Sequence, residues 1–363
     1  MNKFDLLNDL GQAVWLDFIR RSFISSSELQ RLVQDGLTGV TSNPSIFEAA
    51  IAGSGDYDPD IRKLAASGKS VNEIYETLAI EDIRQAADIL RPVFDRTLGD
   101  DGYVSLEVNP ALANDTAATI SEASRLFHTL DRPNIMIKIP ATPEGIPAIE
   151  AAISQGINVN VTLIFSVKHY ESAARAFIAG LGKFSTSGGD PSRIASVASV
   201  FVSRLDTAVD RQLAELGEDS LQGKIAVANA KIVYARFKEI FSGERWESLS
   251  GQGARVQRPL WASTSTKNPA YSDTLYVDSL IGPHTVNTLP PATLDAFNDH
   301  GSPTKTLETG LDEARSNLSR INKIGVDLGA ITQALQEDGV RAFAKSFESL
   351  MSSIAEKTAK LSS

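Results

Sequence analysis

The sequence predicts an α/β fold: eight parallel strands closed into a (β/α)8 barrel of the TIM type, with additional C-terminal helices. Two observations carry that prediction. Strand-like runs alternate with amphipathic stretches eight times along the chain, the pattern of a parallel sheet with helical crossovers. Several of these runs also set a purely apolar face against one that carries polar groups. The length, 363 residues, would suit two or three ordinary domains, but one barrel with added helices uses it equally well. Residues 1–363 therefore read as a single domain, with 303–363 as a helical appendage packed on it. A doubly wound open sheet is the alternative.

The elements follow in order. The first run, 14–17 (VWLD), sets Asp17 after Val14 and Leu16. The second, 39–43 (GVTSN), puts Thr41 and Asn43 on one face. Residues 71–91 read as helix, with Ile74 and Leu78 on one face and Ile83, Ala86, Ala87 and Leu90 spaced likewise. The third run, 103–109 (YVSLEVN), alternates Val104, Leu106 and Val108 with Ser105, Glu107 and Asn109. The fourth, 134–140 (NIMIKIP), opposes Ile135, Ile137 and Ile139 to Met136 and Lys138. The fifth, 158–165 (NVNVTLIF), opposes Val159, Val161 and Leu163 to Asn158, Asn160 and Thr162. The sixth, 195–203 (ASVASVFVS), opposes Ala198, Val200 and Val202 to Ser199, Phe201 and Ser203. Helices are expected over 205–216 and 224–241, then strands at 259–264 (PLWAST) and 284–289 (HTVNTL). The polar, Gly-rich stretches 183–192 and 242–258 read as surface loops. After 303, Leu311, Ala314, Leu318 and Ile321 step by three and four, as do Val340, Phe343, Phe347, Leu350 and Ile354. These are helices on the outside of the barrel or across one end.

Composition excludes several functions. Apolar residues make up 42% and charged residues 22%, which is globular and not disordered. The net charge of −10 gives no electrostatic footprint for nucleic acid or an anionic membrane. No cysteine is present, which removes disulfides, thiolate nucleophiles and Cys-based metal centres together. The four histidines are scattered without metal-ligand spacing, so no metal is expected. The first residues lack a long apolar stretch and no apolar run approaches about 18 residues, so a cytoplasmic location is expected.

The strand faces carry the chemistry. If the apolar faces meet the helices, the barrel axis receives Asp17, Thr41, Asn43, Glu107, Asn109, Lys138, Asn160, Thr162 and Ser199. Barrel interiors are ordinarily packed with Val, Ile and Leu, and burying polar groups without partners is costly. A polar site at the C-terminal mouth explains this set better than a structural core. Lys138 has two readings: a buried ion pair with Glu107 or Asp17, or a Schiff-base nucleophile. Desolvation favours the neutral amine that attacks a carbonyl, and nearby carboxylates oppose it. Glu107, Asp17 and Thr162 suit the proton transfers that imine chemistry needs, and Asn43 and Asn160 suit substrate hydroxyls. The SGKS stretch at 67–70 lacks the first Gly of a phosphate loop, since position 63 is Lys63. STSTK at 263–267 would gather Ser263, further hydroxyls and Lys267 where barrels often hold phosphate, or would cap a helix. Arg204, ending the sixth strand, would add a bidentate fork.

At this point the motifs match a family. GLTGVTSNPSIF (36–47), VSLEVNP (104–110), NIMIKIPAT (134–142), GINVNVTLIFS (156–166), SVFVSRLD (199–206) and LWASTSTKNP (260–269) resemble transaldolase, from about residue 10 to 300. The resemblance is closest to the longer bacterial branch. It implies a class I aldolase-type barrel that uses neither cofactor nor metal. It implies that Lys138 forms the Schiff base, that Asp17 acts on the C4 hydroxyl, and that Glu107 and Thr162 hold the catalytic water. Asn43, Asn160 and Ser199 would bind the dihydroxyacetone unit, with Thr41 in support, and Arg204 the phosphate. Relatives place a second arginine near Ser263, where this chain offers Lys267, a point charge and not a fork. Phosphorylated sugars would be the partners, in a monomer or homodimer. The alternatives are a fructose-6-phosphate aldolase, in which a tyrosine stands where this chain has Phe201, and a non-catalytic sugar-phosphate-binding barrel.

Overall fold

A computed structural model of the chain describes residues 2–361. All eight expected strands form: β1 (Gln12–Leu16), β2 (Gly39–Thr41), β3 (Tyr103–Glu107), β4 (Ile135–Pro140), β5 (Val159–Ile164), β6 (Ser196–Phe201), β7 (Arg258–Ala262) and β8 (Thr285–Leu289). Each pairs in parallel with the next, and β8 closes on β1 from Gln12↔Thr285 to Leu16↔Leu289. The sheet is a closed (β/α)8 barrel, not an open doubly wound sheet.

The alternation within each strand sorts the core into two parts. Val14, Val40, Val104, Ile137, Val161 and Val200 join the large cluster between barrel and helices. Trp15, Tyr103, Met136, Val197, Leu260 and Val286 fill the inside. Gly39 of β2 is required there, because a Cβ would lie 2.5 Å from the Trp15 indole. The apolar filling belongs to the N-terminal half of the barrel. Above it, toward the strand C-termini, the inward positions turn polar.

One face departs from expectation. The register between β5 and β6 shifts between Val161 and Ile164, and Leu163 has φ of 59°. This irregularity breaks the alternation, and Leu163 joins Phe165 in the inner cluster instead of the outer one.

Two expected loops are shorter than anticipated. The helix Val167–Thr186 runs into the first, and the second contains the helix Glu244–Ser250. Trp246 of that helix is buried against Phe241, with ring centroids 4.8 Å apart. Two buried apolar side chains, Trp246 and Leu249, suffice to hold this polar segment down.

The tail is helical. Leu311–Lys323 packs on the helix Ile225–Ile240, outside the barrel. The C-terminal helix, Leu328–Leu361, lies on the helices Pro44–Ala52 and Asp58–Ala66 and reaches β5. It crosses the end of the barrel where the strands terminate.

Candidate active site

Register brings three expected residues side by side. Glu107 is the partner of Lys138 across β3 and β4, and Lys138 is the partner of Asn160 across β4 and β5. Lys138 is 5% exposed, with Nζ 3.5 Å from Glu107 Oε2, and it donates to the Ser42 carbonyl at 3.2 Å. Glu107 Oε2 and the buried Thr162 Oγ1 have no hydrogen-bond partner in the protein. Buried polar atoms are rarely left so, and orphans at a site call for a ligand or an ordered water.

Two networks flank the lysine. Thr41 donates to Asp17 Oδ1 at 2.7 Å and meets the Thr288 hydroxyl at 2.7 Å. Ser199 donates to Asn160 Oδ1 at 2.7 Å, and Asn160 donates through Nδ2 to Ser105 at 3.1 Å. Thr288 and Ser105 were not among the expected site residues. Ser105 shares the face of Glu107, so alternation could have found it, and the same reading applied to β8 would have found Thr288.

The carboxylates are tuned by burial. Burial pushes Glu107 up to about 7, against the opposing charge of Lys138 and with a further push from Asp17. Burial also raises Asp17, opposed by Lys138, by the Thr41 hydrogen bond and by Arg204. The mouth thus holds one carboxyl able to exchange protons near neutrality, as proton relay requires.

The cationic side of the mouth lies just beyond β6 and β7. Arg204 does not end a strand: β6 stops at Phe201, and Arg204 stands in the first turn of the helix Ser203–Leu216. Its guanidinium lies 5.4 Å from the centroid of the Phe201 ring. Burial draws its pKa down and the Asp17 charge opposes this. Ser263 follows β7 in the left-handed region, with φ of 54°. Its hydroxyl meets that of Ser203 at 2.9 Å, and its carbonyl accepts from the Ser203 N–H at 2.9 Å. Lys267 is exposed and donates to Ser265 at 2.7 Å. No helix begins within 263–267, so the Ser/Thr run is no cap.

Other expectations resolve differently. Asn43 caps the helix Pro44–Ala52 by accepting from Ile46 N–H at 3.0 Å. Asn109 caps a short turn and does not extend β3. Both line a cavity of about 200 Å³ that also touches Glu107. In the SGKS stretch, Ser70 is the N-cap of the helix Val71–Arg96, in a capping box with Glu73. Among the described residues, no group of three or more His, Asp or Glu is placed to hold a metal ion, and no helix is long and apolar enough to cross a membrane.

A buried lysine between carboxyl groups at the C-terminal mouth of a parallel barrel defines a class: barrel enzymes equipped for carbonyl and proton-transfer chemistry. Sequence comparison narrows it. The model of the family described as Transaldolase/Fructose-6-phosphate aldolase matches residues 14–354, and the chain belongs to that family. It is similar to a transaldolase of Trichodesmium erythraeum (strain IMS101), at 47% identity over 98% of this chain and 97% of that protein. A transaldolase of Thermobifida fusca (strain YX) is 50% identical over 97% of each chain. One of Thiobacillus denitrificans (strain ATCC 25259 / T1) is 48% identical over 98% of this chain and 100% of its own length.

Proposed function

We propose that this enzyme is a transaldolase that moves a dihydroxyacetone unit from a ketose phosphate to an aldose phosphate, with Lys138 as nucleophile. Sedoheptulose 7-phosphate and glyceraldehyde 3-phosphate would give erythrose 4-phosphate and fructose 6-phosphate, a step of the pentose phosphate pathway. One observation carries the reading: Lys138 lies 3.5 Å from a buried carboxylate oxygen that has no closer partner in the protein. A settled structural ion pair would satisfy both partners.

The neutral amine of Lys138 attacks the ketose C2, and the carbinolamine loses water to an iminium. Glu107 and Thr162 hold that water and pass its protons. Asp17, oriented by Thr41, removes the C4 hydroxyl proton. The C3–C4 bond breaks and its electron pair enters the iminium, leaving an enamine on Lys138. The aldose phosphate leaves, and the acceptor aldehyde is attacked by the enamine carbon. Hydrolysis of the new iminium releases the product.

Asn160 and Ser199, already bonded to each other, have remaining donors and lone pairs for the dihydroxyacetone hydroxyls, with Asn43 beside them. Arg204 supplies a planar fork to the phosphate, and Ser263 and Lys267 add a hydroxyl and a point charge. Phe201 supports transfer over release, since the aldolases that free dihydroxyacetone carry a tyrosine there. The chain works as one domain, cytoplasmic, as a monomer or homodimer, on sugar phosphates and not on nucleic acid or a membrane.

Borohydride reduction in the presence of fructose 6-phosphate, followed by peptide mass spectrometry, tests the reading. A three-carbon or six-carbon adduct on Lys138 is expected. No adduct, or one on another lysine, sinks it. Turnover that proceeds at full rate without an aldose acceptor would instead assign the chain as an aldolase.

A further inference from the structure

We infer that Phe343, on the C-terminal helix, shields the enamine on Lys138 from water, and so sets how often the three-carbon unit is transferred and how often it is lost. This deepens the proposed function and rests on it.

The helix Leu328–Leu361 is tied to the mouth on both sides of this residue. Gln336 is 2% exposed, and its Nε2 donates to the Ala141 carbonyl at 2.9 Å and the Leu163 carbonyl at 3.0 Å. Those carbonyls lie at the ends of β4 and β5, the strands that carry Lys138 and Thr162. One turn on, Gly339 lets the helix approach closely: a Cβ there would lie 2.7 Å from Leu163 Cδ2. Further along, Ser346 meets Ser45 at 2.8 Å, and Lys357 pairs with Asp58 at 2.7 Å.

Between these ties, Phe343 is 4% exposed and packs with the inner barrel cluster, not with the helix layer outside. Its ring centroid is 5.8 Å from Lys138 Nζ, within cation–π range. Positions 336, 339 and 343 step by three and four, so one helix face delivers clamp, close approach and ring together. An aromatic side chain held above Lys138, the only buried lysine among the described residues, occupies the volume through which solvent would reach an imine.

The chemistry makes that volume decisive. The enamine has two fates. Its carbon can attack the acceptor aldehyde, forming a C–C bond. Otherwise the same carbon takes a proton from water, giving the iminium of dihydroxyacetone. Water then adds at C2, the C2–Nζ bond breaks, and free dihydroxyacetone leaves with the amine restored. That path consumes one water and needs no oxidant or reductant. Excluding water suppresses it without touching the transfer step.

The test compares the full-length chain with Phe343→Ala and Phe343→Leu. Two quantities are read: the borohydride-trapped adduct on Lys138 with fructose 6-phosphate, and the ratio of free dihydroxyacetone released to dihydroxyacetone transferred to erythrose 4-phosphate. Phe343→Ala should keep the trapped adduct and raise the ratio by about tenfold or more, while Phe343→Leu, which refills most of the volume, should stay within about threefold of the unaltered chain. Loss of packing alone would lower both rates together and leave the ratio where it was. An unchanged ratio in Phe343→Ala overturns the inference. If that variant does not fold, Gln336→Ala loosens the same helix from β4 and β5, and an unchanged ratio there overturns it equally. A raised ratio with the adduct intact supports the shield. Absence of the adduct in the unaltered chain would bring down the proposed function, and this inference with it.

Discussion

Two buried ion pairs occupy opposite ends of one barrel, and they are built differently. At the N-terminal end, Arg258 Nη1 lies 3.3 Å from Asp101 Oδ2. Asp101 Oδ1 also accepts from Trp15 Nε1 at 2.8 Å and from Gly102 N–H at 3.1 Å, and Arg258 Nη2 donates to the Asp100 carbonyl at 2.9 Å. At the mouth, Lys138 and Glu107 stand 3.5 Å apart, and the facing Glu107 oxygen has no hydrogen-bond partner in the protein. The side chains are similarly hidden: 11% and 8% exposed in the first pair, 6% and 5% in the second. Burial therefore does not distinguish them. Unused hydrogen-bonding capacity does. The lower pair closes a structure, and the upper one, on the function proposed above, keeps a valence open for a reactant.

The largest expected effect comes from breaking the upper pair. Lys138→Met should lower turnover by roughly 10⁴-fold or more, since among the described residues no other lysine is buried beside the Glu107 carboxyl. Its cost in stability should be small. Glu107 is already pushed up to about 7, and losing the lysine charge that holds it down lets it take a proton and become neutral. Urea unfolding and activity measured on the same sample separate the two effects. A large loss of stability in this variant would make the upper pair structural after all.

Arg258→Met is the mirror experiment. It leaves Asp101 buried with its main charge partner gone, which costs about 3–5 kcal/mol in comparable pairs. Activity per folded molecule should hold, because Arg258 lies at the far end of the strands from Lys138. Loss of activity without loss of stability would contradict the division of labour.

Glu107→Gln sharpens the contrast through pH. With a carboxyl near 7, the ionised base form accumulates as pH rises through neutrality, so kcat should rise over that range. The glutamine should lose that limb and about a hundredfold in rate. Stability has the opposite sign. The folded-state value is raised from 4.5 to about 7, so this group's contribution is fully present below 4.5 and is lost as pH rises through 7. The unaltered chain should therefore lose more stability than Glu107→Gln between about pH 5 and about pH 8, as read from thermal midpoints. Equal slopes would place the Glu107 carboxyl back in the ordinary range.

The two ends also differ in how far the sequence discloses them. Period-two alternation exposed Lys138, Glu107, Asn160 and Ser199, because a polar residue on an inward strand face stands out among Val and Ile. The eight strands were legible as short strand-like runs recurring between amphipathic stretches. Arg258 and Asp101 were not, since one opens β7 and the other precedes β3, where a charge reads as loop. Phe343 was legible as a buried helix position, yet periodicity shows only that a face is covered and not what it covers. Arg204 and Asn43 were found by type and misjudged by setting, one belonging to a helix and the other capping one. Alternation points Leu163 outward, and only its left-handed backbone turns it in.

The smallest effect tests the open valence itself. Thr162 Oγ1 is buried and unpartnered, so its hydroxyl contributes nothing to the folded chain that offsets its lost hydration. Thr162→Val keeps the shape and replaces that hydroxyl with a methyl group. Stability should hold or rise by about 1 kcal/mol, the reverse of what removing a satisfied buried hydroxyl does. Turnover should fall by about tenfold, because the water proposed between Thr162 and Glu107 would lose one of its two holders. The same change at Thr41, whose hydroxyl is bonded to Asp17 and Thr288, should lower stability as well as rate. A Thr162→Val chain that is less stable would mean the hydroxyl has a partner in solution, and its valence would then be as closed as those of the Arg258–Asp101 pair.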